Sequence, residues 1–471
     1  MPPEVWHLAG RLTRTVKGSL DRFLHIEAAG GIVLIVAAAV ALAWANSPWS
    51  DLYEALWHTP ITIGLGSWRV EESLHFWIND LLMTVFFLLV GLEIKREIVE
   101  GALSDMRRAA LPIAGALGGM LFPAAIYIAI NSSGGASQGW GVPMATDIAF
   151  AVGVLTLLGK RVPATLRVLL LALAIIDDVG AILVIALFYS SGFAFDGLAI
   201  AAAGVLLLFV LLKMGVRSSL LFAITILIIW TGMLRSGIHP TIAGVIAGLC
   251  APARSWFGKA GFLEVARSAL DDFQSRVDRP HTDHELIEPL SRLAQARREA
   301  LSPALRLETA LHPWVAYLIM PVFALANAGI HMGGLELGHP DFSAVVAGVM
   351  VGLVLGKPLG ILLVSWIAVR LRLCALPEGV SWGGMLVVGS VAGIGFTMAI
   401  FISELAFQDA QLLELAKLSV LLATALAAAI GLLAGRVFLQ RQQPGSLADV
   451  TASDAELSAE YWTDDSTIPN G

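Results

Sequence analysis

The sequence predicts an all-α polytopic membrane protein with twelve transmembrane helices, two of them unwound in mid-span and crossing, arranged as inverted-topology repeats. Three observations carry this. Hydrophobic residues make up 57% of the 471 residues and charged residues 14%, with a mean hydropathy of +0.78, outside the range of ordinary soluble domains. Apolar stretches long enough to cross roughly 30 Å of hydrocarbon recur along the chain. Two of them carry helix-interrupting residues at corresponding places: Pro143, Thr146 and Gly153 in the fourth, and Gly389, Gly393, Gly395 and Thr397 in the eleventh.

Taken in order, residues 1–26 form a cytoplasmic N-terminus in which Arg11, Arg14, Lys17 and Arg22 precede the first apolar run. That run, Ala28 to Ala45, is longer than the apolar core of a secretory leader, and many spans follow, so an uncleaved first helix is expected. Residues 27–251 hold helices one to eight, near 27–46, 74–95, 109–130, 141–158, 164–190, 197–213, 218–235 and 239–250. The eighth is short and begins just after Ser236-Gly237. Residues 252–310, with nine basic and nine acidic residues, read as a long cytoplasmic loop with amphipathic helices at the membrane surface. Residues 311–438 hold the last four spans, near 311–330, 342–369, 383–404 and 411–438; 439–471 form an acidic tail whose composition predicts disorder. Spans three to five and ten to twelve would be the matching repeats.

Lysine and arginine set the orientation. With the N-terminus inside, Lys160, Arg161, Lys213, Arg217, Arg370, Arg372 and Arg436 lie at cytoplasmic helix ends, while Arg69 and Arg235 face out. An even number of spans leaves both termini in the cytoplasm of a cell bounded by this inner membrane. The cysteines, Cys250 and Cys374, form no disulfide framework. A net charge of −7, with no basic patch interleaved with aromatics, excludes nucleic acid as a partner.

Against this background four charges stand where the bilayer centre is expected: Asp147, Asp177, Asp178 and Lys357. An ionised side chain there costs roughly 2.5–3.5 kcal/mol on insertion scales, so each points to function. Adjacent helical residues project about 100° apart, so Asp177 and Asp178 cannot face one partner identically. Carboxylates with the Thr146 hydroxyl and backbone carbonyls suit a hard cation such as sodium, and buried, crowded carboxylates also take protons. A site that must hold either ion before it changes sides moves one against the other. Lys357 would pair with Asp178 or Asp177 when no cation is bound. No enzyme chemistry and no cofactor are implied.

The chain resembles the NhaA type of bacterial sodium/proton antiporter from about Phe23 to Val437, a family that is itself a standard example of inverted repeats with broken helices. The likeness rests on Trp77-Ile-Asn-Asp80, Phe86-Phe-Leu-Leu-Val-Gly-Leu-Glu-Ile-Lys-Arg-Glu97, Met144-Ala-Thr-Asp147, Ile175-Ile-Asp-Asp178, Ser236-Gly-Ile-His239, Leu311-His-Pro-Trp314, Gly356-Lys-Pro358 and Gly393-Ile-Gly-Phe-Thr-Met398. The resemblance implies Asp177 and Asp178 as the pair that binds the transported cation and protons, Asp147 with Thr146 at the crossing of the unwound helices, and Lys357 as the buried cationic partner. It further implies a homodimer and electrogenic, pH-regulated exchange of internal Na+ or Li+ for external H+. Glu93, Glu97 and Glu308 match acidic positions at the cytoplasmic mouth, His239 a histidine tied to the pH response, and Asp80 an acidic position nearer the outer side. The residues alone also allow Glu93 and Glu97 to be a solvated helix end, and His239 a helix-start hydrogen-bonding residue. The 252–310 loop is longer than the family's usual connection and is expected to separate Glu308 from the helices it would sense with.

A sodium- or proton-coupled symporter of a small solute is the alternative, but an organic substrate calls for arginine or aromatic contacts and no arginine lies at midspan. A channel would not need the titrating trio. A membrane scaffold would not need the aspartates at all.

Overall fold

The computed structural model describes residues 27–439 apart from 66–67, 133, 191, 193, 216–217, 254–257, 278–282, 335–341 and 378. The expectations for the N-terminal segment and for the acidic tail beyond Leu439 lie outside the described residues. Helix α1 (Glu27–Ala45) is followed after a 117° bend by α2 (Ser50–Trp57). The bend has a local cause: Pro48 biases Ser47 away from helical geometry, and the Asn46 amide turns back onto the carbonyls of Leu42 at 2.8 Å and Ile330 at 2.7 Å.

Next comes an antiparallel hairpin, β1 (Pro60–Leu65) with β2 (Trp68–Ser73), in register from Pro60 opposite Ser73 to Leu65 opposite Trp68. The hairpin was not expected, but among the described residues it is a single two-stranded addition to an otherwise helical membrane fold. Its signal is the alternation of apolar Ile61, Ile63 and Leu65 with Thr62 and Gly64, and of Trp68 and Val70 with Arg69 and Glu71, too short to compete with the apolar runs.

Seven helices are long and apolar enough to cross a membrane, and three bent pairs raise this to ten among the described residues. The seven are α3 (Leu74–Val99), α4 (Met106–Ile130), α6 (Ala164–Phe188), α7 (Phe195–Lys213), α12 (Pro303–Asn327), α13 (Phe342–Arg370) and α16 (Ala410–Phe438). Between them lie α5 (Ile148–Leu157), α8 (Ser219–Ser236), α9 (Ile242–Cys250), α10 (Gly258–Val277), α11 (Asp283–Ala300), α14 (Trp382–Ala392) and α15 (Phe396–Ala406). Two of the twelve expected stretches, 218–235 and 239–250, thus form the shorter helices α8 and α9.

Helix α12 starts at Pro303, not at 311, because Ser302 caps it by accepting the Leu305 N–H at 3.2 Å and proline fits the first helical turn. Ahead of it, α10 and α11 pack on each other, clasped by Arg276 with Asp272 at 2.9 Å and with Glu288 at 3.0 Å.

Between lipid-solvated helices, small residues let backbones approach. A Cβ on Gly360 of α13 would stand 2.1 Å from the Gly118 carbonyl oxygen of α4, and a Cβ on Gly91 of α3 would stand 2.7 Å from the Val245 carbonyl of α9. The α4–α13 contact matters most for the bundle centre, because it seats Lys357. Gly119 leaves room for the Lys357 stem, and Gly356 lies against Pro123. The turn Gly352–Gly356 is π-helical, which re-sets the phase of α13 just before Lys357-Pro358, where the proline has no N–H to continue the helical ladder.

Candidate ion-binding site

The core of the bundle contains two chain breaks that hydrogen-bond to each other. A 3₁₀ stretch, Gly135–Met144, ends at Ala145, and α5 restarts at Ile148 with a 49° change of direction. Similarly α14 ends at Ala392 and α15 restarts at Phe396, bent by 48°. The Asp147 N–H donates to the Ile394 carbonyl at 2.8 Å, and the Thr146 hydroxyl lies 3.1 Å from the Ala392 carbonyl. A Cβ on Gly393 would stand 2.5 Å from the Leu353 carbonyl of α13, so the second break also needs glycine where it passes that helix.

Each break exposes one helix end with unpaired N–H groups and one with unpaired carbonyls, carrying opposite partial charges. Asp147 serves both starting ends. Its Oδ1 accepts the Phe150 N–H at 3.0 Å as the cap of α5, and its Oδ2 accepts the Thr397 N–H at 3.2 Å and the Thr397 hydroxyl at the start of α15. Lys357 serves an ending one, since its ammonium donates to the Met144 carbonyl. The same ammonium stands 3.2 Å from Asp177 Oδ2, which also accepts the Thr146 hydroxyl at 2.9 Å. Thus Lys357 pairs with Asp177, resolving the choice between the two aspartates that the sequence leaves open.

Thr146, Asp147, Asp177, Asp178 and Lys357 are all buried, none more than 2% exposed. Asp177 Oδ1 and Asp178 Oδ1 have no hydrogen-bond partner. Asp178, one residue on along α6, projects about 100° from Asp177 and lies in the electrostatic field of Asp177, Glu93, Asp147 and Lys357. Buried acceptors without partners are rare in folded proteins and call for an explanation.

Residues matched to pH sensing fall into two further groups. Arg96 of α3 holds Glu308 of α12 at 2.7 Å and approaches Glu97 at 3.6 Å, and Glu308 Oε2 is buried without a partner. The expected separation of Glu308 from the helix that carries Glu93 and Glu97 is therefore not found. Glu308 stands on α12, two turns after its cap, rather than in the charged loop. His239 and Asp80 form the second group, 3.4 Å apart, with the other His239 ring nitrogen 2.7 Å from the Thr241 hydroxyl at the approach to α9.

In the sequence Thr397 is marked only as part of a break; its grip on Asp147 depends on where the second break lies in space. Nor does the sequence single out Glu404, Lys417, His75, Asn79 and Asn327 as a group. They form a polar cluster joining α3, α12, α15 and α16.

The family described as Na+/H+ antiporter 1 matches residues 21–434. Among similar proteins are the Na(+)/H(+) antiporter NhaA 2 of Sorangium cellulosum, 58% identical with 98% of each chain covered, and that of Myxococcus xanthus, 51% identical over 96% of this chain and 97% of the relative. The Na(+)/H(+) antiporter NhaA of Cupriavidus necator is 53% identical over 90% of this chain and 91% of its own length. With a helical membrane architecture, a buried carboxylate cluster at two helix breaks and a match along nearly its whole length, the chain belongs to the Na+/H+ antiporter 1 family.

Proposed function

We propose that this protein is a secondary active antiporter that exchanges internal Na+, or Li+, for external H+ at Asp177 and Asp178. One observation carries the reading: in a core of three carboxylates and one ammonium, only Asp178 makes neither a hydrogen bond nor an ion pair through its carboxylate. Asp147 is balanced by two helix starts, and Asp177 by Lys357 and Thr146. A bare carboxylate inside a bilayer is costly. The site therefore favours moving between sides with either a proton or a monovalent cation at Asp178, and the two ions compete for the same oxygens. That requirement is exchange.

In this reading Asp177 Oδ1 and Asp178 Oδ1 supply cation ligands, oxygen donors that a hard ion prefers. Lys357 holds Asp177 when no cation is present and yields it when one binds, and Asp147 with Thr146 keeps the two breaks registered. Two carboxylates that take protons support electrogenic exchange, with more than one proton per cation. Glu97 and Glu308, held by Arg96, with Glu93 in their electrostatic field, form the cytoplasmic mouth and, with His239 and Asp80, tune activity with pH. The breaks are taken as the midpoints of two unwound, crossing helices in a twelve-span inverted repeat, with α8 and α9 as the shorter spans. Both termini lie in the cytoplasm of a bacterium whose inner membrane holds the protein as a homodimer; no resident cofactor is needed. Maintenance of cytoplasmic pH and sodium follows from this activity.

The test is cation-driven proton flux in proteoliposomes, adding sodium, lithium, potassium and choline in turn. Dequenching of a pH dye by sodium or lithium that is lost in Asp178→Asn supports the assignment. A response to an organic solute with sodium, and none to sodium alone, would favour the symporter.

A further inference from the structure

In the proposed orientation, the cluster of Glu404, Lys417, His75, Asn79 and Asn327 lies at the outer side, well away from the aspartates. Ionisable groups inside membrane segments are costly and rarely idle, and the proposed exchange mechanism makes no use of these. Glu404 is on α15 and Lys417 on α16; the two form an ion pair with side chains 15% and 11% exposed. His75 of α3 stands 3.8 Å from the same Glu404 oxygen. The His75 ring is 2.9 Å from Asn327 Oδ1, and Asn327, fully buried on α12, donates to Asn79 Oδ1 at 2.8 Å.

Glu404 follows Thr397 by seven residues on α15, which brings the two side chains onto one face about 10 Å apart along the helix. Lys417 precedes Thr424 by seven residues on the antiparallel α16, and the Thr424 hydroxyl accepts the Phe396 N–H at 3.1 Å. Helix α15 is thus tied to α16 at both ends: at its start by Phe396 and Thr424, at its far end by Glu404 and Lys417. The start of α15 is the end that donates the Thr397 N–H and hydroxyl to Asp147. A helix of eleven residues held at both ends cannot pivot freely. Releasing its far end lets its start shift against Asp147.

We propose that the Glu404–Lys417 ion pair is a positioning pair for transport: it fixes the tilt of α15 and so the donors that hold Asp147 at the ion site. The proposal rests on the exchange reading of that site. Neither residue touches the transported ion. His75, with Asn327 and Asn79 behind it, is the contact through which Glu404 also meets α3 and α12.

The experiment uses the full chain in proteoliposomes, measuring sodium-driven proton flux and separating half-saturating sodium from maximal rate. Variants are Glu404→Gln, Lys417→Gln, Lys417→Arg, the exchanged pair Glu404→Lys with Lys417→Glu, and Thr397→Val as the reference for a weakened grip on Asp147. Coupling energies carried through packed networks correspond to changes of roughly two- to thirtyfold. Glu404→Gln and Lys417→Gln are expected to raise half-saturating sodium roughly threefold or more, in the same direction as Thr397→Val. Lys417→Arg and the exchanged pair are expected to stay within about twofold of the parent. If Thr397→Val raises half-saturating sodium but both charge-removing variants leave it unchanged, the positioning pair is refuted while the site stands. If Thr397→Val also leaves it unchanged, Asp147 is not governed from α15 and the proposal falls with that part of the site. Should the single variants not be recovered folded, the exchanged pair decides. Near-parental sodium dependence upholds the positioning role, and a raised value in well-folded protein overturns it.

Discussion

Replacing Asp177 and Asp178 one at a time by asparagine separates two roles that activity alone cannot. Asp177→Asn removes the carboxylate that faces the Lys357 ammonium at 3.2 Å with both side chains fully buried. Breaking a buried pair from one side leaves the other charge uncompensated, at a cost of about 3–5 kcal/mol. The Met144 carbonyl and the Thr146 hydroxyl remain nearby, but neither carries a full negative charge. Asp178→Asn removes a carboxylate whose Oδ1 has no partner and which lies in the field of three other carboxylates. Its loss is expected to leave stability unchanged or to raise it. Both variants are expected to abolish sodium-driven proton flux. The assay is unfolding of detergent-purified protein at fixed pH, paired with flux in proteoliposomes. A double variant, Asp177→Asn with Lys357→Met, completes the cycle and is expected to recover part of the lost stability. Equal destabilisation by the two asparagines, or no recovery in the double variant, would refute this division of labour. Normal flux in either single variant would remove the residue from the ion site.

Three further outcomes rest on particular contacts. Gly360→Val puts side-chain atoms where even a Cβ lies 2.1 Å from the Gly118 carbonyl. Overpacking typically costs about 1–3 kcal/mol, so an immunoblot of membranes is expected to show poor accumulation of this variant and normal accumulation of Leu117→Val, whose parent side chain is 45% exposed. In the proposed competition a bound cation displaces protons, so half-saturating sodium is expected to fall as pH rises from about 6 to about 8.5, by up to roughly tenfold per pH unit for one displaced proton; a flat profile would remove the competition. In the α10–α11 clasp, the Arg276 hydrogen bond, with the charges of Arg292 and Arg276, holds the Glu288 carboxyl below its ordinary range. The folded hairpin therefore binds fewer protons at this group than the unfolded one, so the clasp stabilises above the ordinary carboxylate range and is lost as the pH falls through the lowered value. Proteolysis between the two helices should rise on acidification below about pH 4, and Glu288→Gln should abolish that dependence at this group.

The spans and the charged members of the site were legible because hydrocarbon imposes rules that are local in sequence. A twenty-residue apolar run and a lone aspartate within it can be recognised without knowing any neighbour. Thr146 was legible for the same reason, as an oxygen ligand beside Asp147. Apolar content alone puts the start of α12 near 311, whereas the cap signal Ser302-Pro303 marks the true start. The hairpin of β1 and β2 is not legible in this way, because alternation over six residues is a weak pattern beside long apolar runs.

What sequence could not supply was which partner balances which charge. Asp147 caps α5 by a contact three residues away, and that half of its role is a local pattern. Its second half, the Thr397 N–H and hydroxyl, comes from 250 residues further along the chain. Lys357 likewise meets Met144 across 213 residues. Only when the two breaks are brought together does it emerge that the helix ends neutralise Asp147 and that Lys357 neutralises Asp177, leaving Asp178 as the unbalanced member. Four charges in apolar spans already pointed to ion chemistry, but the asymmetry between two adjacent aspartates is a property of the fold. In the proposed exchange it is this asymmetry, rather than the number of carboxylates, that would make a proton and a cation alternatives at a single place and would tie each crossing of the membrane to the occupancy of Asp178.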